Sequence, residues 1–145
     1  MRSETTTTGI RYSVIGETGP AILLLPDPST GTRPTWQLQE TYLARHFRVV
    51  AFEASGAEPV HPIAPDAGVR LADAVAVVDA CGADAVVVVG AASGAALPLE
   101  LAAAHPERVR GAVSIARDQP VRLDQVAPPA LFIQGTDHED ASPGR

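Results

Sequence analysis

Five short runs of apolar residues constrain this chain more than any other feature. They are Ala21–Leu25 (AILLL), Arg48–Phe52 (RVVAF), Ala85–Val89 (AVVVV), Val109–Ile115 (VRGAVSI) and Ala130–Gln134 (ALFIQ). Each is of strand length, and the most apolar of them do not alternate with polar residues, which is the pattern of strands buried on both faces. Helical stretches lie between them: Trp36–Arg45, Val69–Cys81, and a segment that turns in over Gly90–Ala95 and ends near His105. Strand–helix–strand alternation predicts an α/β fold, a mostly parallel sheet flanked by helices on both faces. AVVVV should be central. Thr5–Thr8 and Ile10–Gly16 read as an opening pair of strands. Trp36, Tyr42 and Leu43 are the expected core contacts of the first helix, and Leu71, Val75 and Val78 those of the second, with Gly82 as its stop. Pro98 should bend the first turns of the third helix and Pro106 should end it. No repeat or linker divides the chain. It reads as a single domain over 1–145, with residues 139–145 a disordered tail.

Charge and composition remove several classes of function. The formal net charge is −6 and the 11 basic residues are all arginine. They are scattered and form no basic stripe, so nucleic acid is not an expected partner. No apolar run approaches the roughly 20 residues of a membrane helix. MRSETTTT lacks the apolar segment of a signal peptide, so the reading is a cytoplasmic protein with no membrane association. The single cysteine, Cys81, lies in an Ala/Val-rich helical stretch without a nearby cation, and reads as a buried core thiol rather than a nucleophile.

The stretch Leu71–Ile115 resembles the α/β-hydrolase superfamily. Gly90, Gly94 and the run His105-Pro106-Glu107-Arg108-Val109 stand where that family carries "GHSMGG" and "HPERV". ILLLPDP stands where "LLHG" is usual, VVAFEASGAEP where "D-x-R-G-x-G-x-S" is usual, and PPALFIQGTDH where "P-x-L-x-x-x-G-x-x-D" is usual. The resemblance implies a shortened hydrolase-like sheet lacking the cap and the final strand, because only Ala116–Pro129 joins the last two apolar runs and the chain stops soon after ALFIQ.

The chemistry that the resemblance implies does not carry over. The nucleophile elbow G-x-S-x-G reads Gly90-Ala91-Ala92-Ser93-Gly94, so the nucleophile position is Ala92. The acid position falls on His138, next to Asp137, and the terminal histidine is missing. Asp27 replaces a residue of the oxyanion loop, where a carboxylate would repel the developing oxyanion. Ser93 fits a helix cap better than a nucleophile. By the hydrolase template there is therefore no catalytic set. Asp27, Ser93, Asp137 and His138 remain as an alternative acid/base set for an isomerase, lyase or cyclase. Asp27, Glu53, Ala92, Ser93, Arg117 and Asp118 lie at expected strand ends, where α/β sheets bind ligands, and are the ligand-binding candidates. No metal-ligand spacing or nucleotide fingerprint is present, so neither metal nor cofactor is expected. The leading expectation is a catalytically vacated protein that binds a small molecule or assembles with a protein partner. Ala130–Gln134, left as a sheet edge, is the expected contact of a homodimer or a strand-donating partner.

Overall fold

A computed structural model of the chain describes residues 2–26, 36–52, 71–91, 96–116 and 129–134. In chain order the elements are β1 (Arg2–Thr5), β2 (Arg11–Ile15), β3 (Ala21–Leu24), α1 (Gln37–Leu43), β4 (Arg48–Phe52), α2 (Leu71–Ala80), β5 (Val86–Ala91), α3 (Leu97–Ala104), β6 (Val109–Ala116) and β7 (Ala130–Gln134). They build one 7-stranded sheet in the order β1-β2-β4-β3-β5-β6-β7. β1 and β2 are antiparallel to their neighbours, and β4, β3, β5, β6 and β7 run parallel. The expected α/β class and parallel sheet are what the structure has, and AVVVV is central, hydrogen-bonded to β3 and β6.

Period-two geometry divides the core into two layers. Leu23 of β3 and Leu25 just after it join Val50, Val86 and Val88 on the face covered by Ala74, Val77 and Val78 of α2 and by Leu97, Leu99 and Leu101 of α3. Ile22 and Leu24 face the other way, with Val49 and Trp36, beneath Leu43 and Ala44 of α1. Helices on both faces explain why the central strands are apolar without alternation.

The helix ends follow from local chemistry, with two corrections. Gly82 (φ +76) stops α2 as expected: Gly82 N–H donates to the Asp79 carbonyl and Ala83 N–H to that of Val78, the paired bonds of a Schellman ending. Pro98 does not bend α3, because it lies in the first turn of that helix, where no backbone donor is required of it. Tyr42 is not a core contact of α1; it is 66% exposed, and the helix instead turns Glu40 inward, with Trp36 buried just ahead of its first turn. The first strand lies earlier than the expected Thr5–Thr8. Thr6 to Gly9 form a tight turn, with Gly9 N–H donating to the Thr6 carbonyl and Ile10 N–H to Thr6 Oγ1, so β1 lies at Arg2–Thr5. In α2 the deepest residues are Ala74 and Val77 together with Val78, while Leu71 and Val75 pack at the margin.

Burial pushes the Glu40 carboxyl above its ordinary pKa. A carboxyl whose folded pKa is raised makes the folded state the stronger proton binder, so its contribution is fully present below the unfolded pKa of about 4.3 and is lost as pH rises through the folded value. Glu40→Gln should therefore gain stability relative to the wild type as pH rises from acid to neutral. Urea unfolding of both proteins at pH 4 and pH 7 measures this, and a pH-independent difference would show that Glu40 ionises freely.

Candidate functional site

Because β3 to β7 are mutually parallel, their carboxyl ends share one edge of the sheet. The chain leaves β3 through α1 to β4 on one side, and reaches β5 on the other side of β3 after passing through α2. α1 and α2 lie on opposite faces. The crevice between the carboxyl ends of β3 and β5 is thus a topological switch point, the place where open α/β sheets bind ligands. The two strands reach it at the same level: Leu24 pairs with Val89, and Leu25 N–H donates to the Val89 carbonyl at 2.9 Å.

The described residues at the neighbouring strand and helix ends belong to the core beneath this edge. Leu25 and Phe52 are buried at the ends of β3 and β4, and Leu97 opens α3. Trp36 is 8% exposed and its Nε1 donates to the Leu25 carbonyl at 2.7 Å. That bond ties the beginning of α1 to the end of β3. Its sequence signal is weak, because the partner is a backbone atom.

Each residue singled out by sequence follows one of these strand ends along the chain. Asp27 comes after Pro26, Glu53 after Phe52, Ala92 and Ser93 after Ala91, and Arg117 and Asp118 after Ala116. Asp137 and His138 follow β7 beyond Gln134. All eight lie outside the described residues, as do His61, the tail 139–145 and the expected cap by Ser93. The structure therefore places the edge of the sheet that these residues follow in sequence. Among the described residues no three His, Cys, Asp or Glu side chains are grouped to hold a metal ion.

Polar groups elsewhere have structural work. Tyr12, level with Phe52 in the β2–β4 ladder, donates from its hydroxyl to Glu4 Oε2 at 2.6 Å. Burial first, and then this bond, push its pKa up to about 12, so it stays protonated and anchors β1 to β2. Cys81 is the buried thiol expected from sequence, with Sγ 3.3 Å from the Val78 carbonyl. His105 caps the end of α3 and lies 3.8 Å from Glu107. Arg108, within the HPERV run, is the functional-looking residue whose role sequence did not disclose. Its Nε and terminal nitrogen donate to the carbonyls of Asp84 and Ala83 at 2.9 and 3.3 Å, and it meets Asp79 at 2.7 Å. It clamps the start of β6 to the end of α2, and its partners lie too far away in sequence to be read from the motif.

No family model and no curated protein matches the sequence. Solved structures do match. A Vigna radiata epoxide hydrolase mutant is 27% identical with a TM-score of 0.56, over 83% of this chain and 38% of that one. An α/β hydrolase from Sphaerobacter thermophilus is 25% identical with a TM-score of 0.59, over 85% and 47%. The enol-lactonase from Burkholderia xenovorans, 21% identical with a TM-score of 0.62 over 79% and 46%, shares the fold. This chain spans less than half the length of these proteins. No helix among the described residues is long and apolar enough to cross a membrane. The sheet order, the parallel carboxyl edge and these likenesses together relate the chain to the α/β-hydrolase superfamily.

Proposed function

We propose that this protein is a catalytically vacated member of the hydrolase fold that acts as a binding or assembly module. The observation that carries the reading is the position of Ala92. The central strand β5 ends at Ala91 and α3 spans Leu97–Ala104, and in sequence Ala92 is the residue directly after β5, the place in G-x-S-x-G at which the fold's hydrolases carry their serine. A methyl group offers no lone pair for attack on a carbonyl. Loss of such a nucleophile lowers turnover by about six orders of magnitude in a triad enzyme. The β3–β5 switch point keeps the position at which open α/β sheets bind ligands, which supports the binding side of the reading.

The test is a hydrolysis panel that takes its chemistry from the structural neighbours and the fold: activated esters, thioesters, enol-lactones and epoxides, together with labelling by a fluorophosphonate. Purified protein should turn over none of them above the buffer rate and should take up no label. Ala92→Ser should also stay inactive, because a serine without a base remains protonated and weakly nucleophilic. Turnover proportional to protein concentration in the wild type would overturn the reading, and an acyl-enzyme burst in Ala92→Ser would show that a base already stands at the site.

A further inference from the structure

The two edges of the sheet differ in chemistry. β1, at one end, carries Arg2 and Glu4, which bridge at 2.8 Å; charge on an edge strand discourages pairing with another chain. β7, at the other end, contains no charged residue and no proline between Ala130 and Gln134. Its Leu131 and Ile133 are 56% and 46% exposed. They share a face with Val113 and Ile115, with which they are in register, so a row of apolar side chains runs out to the last strand of the sheet among the described residues.

The backbone register says what fits there. Ala112 N–H donates to the Pro129 carbonyl at 2.9 Å. Successive residues of a strand aim their backbone groups to opposite sides, so Pro129, Leu131 and Ile133 face β6, and Ala130, Phe132 and Gln134 present N–H and C=O on the other side, where no strand among the described residues pairs with them. A two-fold axis normal to the sheet through Phe132 sets β7 antiparallel to its own copy. Phe132 then opposes Phe132 of the copy, and Ala130 opposes Gln134, each pair exchanging both N–H···O bonds. Leu131 opposes Ile133 in the non-hydrogen-bonded pairs, where side chains approach most closely. One register thus matches the backbone groups that β7 turns away from β6 and brings the exposed apolar residues together on one face. No like charges meet, because the strand has none.

We infer that β7 is a self-complementary docking edge, and that a second copy of this chain pairs along Ala130–Gln134 to continue the sheet through a two-fold axis at Phe132. This deepens the assembly side of the proposed function and rests on that reading. The contact is a short strand, well below a standard interface in size, so the dimer dissociates in the micromolar range.

Sedimentation equilibrium of the full chain over a micromolar concentration series tests it, with circular dichroism confirming the fold of each variant. The wild type should rise from the monomer mass of 15.0 kDa towards twice that value. Leu131→Asp with Ile133→Asp sets like charges opposite each other and should weaken the dimer on the order of tenfold or more. Leu131→Lys with Ile133→Asp sets opposite charges in the same pairs and should restore association at low salt, with loss at high salt. A wild-type monomer across the series, or a double-aspartate variant that dimerises as well as the wild type, overturns the inference. Hydrolysis by a protein that dimerises in this register would instead overturn the vacated-site reading and leave the docking edge standing, so the two failures are distinguishable.

Discussion

Gly19→Ala and Gly16→Ala are each expected to destabilise the protein by about 3 kcal/mol or more, a large part of the roughly 5–15 kcal/mol that holds a domain of this size together. Both glycines have φ near the left-handed region, +88 and +86, where a side chain is strained. Both also lie against backbone. A Cβ at Gly19 would overlap the His46 carbonyl oxygen, and one at Gly16 would overlap that of Phe47 and stand 3.1 Å from that of Ala44. These atoms belong to the turn from α1 into β4, which is held by Arg48 N–H donating to the Pro20 carbonyl at 3.1 Å and by Phe47 N–H donating to that of Leu43. The obstruction is main chain, so it cannot swing away as a side chain would. Gly9 and Gly82 supply the internal control. Their φ values, +91 and +76, are equally unusual, but nothing lies within 4 Å of a Cβ built on either. Their alanine variants should lose only the conformational term, about 1 kcal/mol. Urea midpoints of the four single variants separate the two causes. Equal losses at Gly19 and Gly82 would show that the turn yields and that close approach contributes nothing.

The chain announced its fold where one residue type dominated a whole element. AILLL, RVVAF and AVVVV are buried on both faces, so nothing competed with the hydrophobic signal. Elements at the margins were harder to read. Thr5–Thr8 has the β-branched composition of a strand, yet Gly9 and the Thr6 hydroxyl hold Thr6 to Gly9 as a turn. Tyr42 looked like core from its size, but its position on α1 points it away from the sheet, while Glu40, polar and therefore passed over, is buried. Pro98 reads as a bend only while the start of α3 is unknown, because its effect depends on its place in the helix. For the candidate site, sequence order gave the residues that follow each strand, and topology gave the edge and the switch point that they share. It is the crossing from β4 over β3 to β5 that puts Asp27 and Ala92 after neighbouring strands, and no local pattern encodes that crossing. Arg108 marks the same limit: a residue that grips backbone carbonyls from another segment leaves no trace in its own motif.

Trp36 is where fold and site meet, and its removal should produce the second large effect. The indole is buried against Ile22, Leu24 and Val49, and its Nε1 donates to the Leu25 carbonyl at the carboxyl end of β3. Trp36→Ala should cost about 3–5 kcal/mol, the range for emptying a large aromatic site in a core. Trp36→Phe keeps most of the apolar volume and removes the donor. It should cost about 1–3 kcal/mol, chiefly because the Leu25 carbonyl is left buried without that partner. The difference between the variants gives the packing contribution. Trp36 is the chain's only tryptophan, so the unfolding of both variants is followed by circular dichroism, and intrinsic tryptophan fluorescence of the wild type reports on this one position. The consequence for the site is specific: Leu25 and Pro26 lead directly into Asp27, and Trp36 closes the segment that Asp27 begins. A ligand bound at the switch point should therefore change the wild-type emission and, in Trp36→Phe, bind more weakly than the stability loss alone explains. Trp36→Phe as stable as the wild type would show that the Leu25 carbonyl finds another donor, and that the bond from Trp36 does not fix the rim.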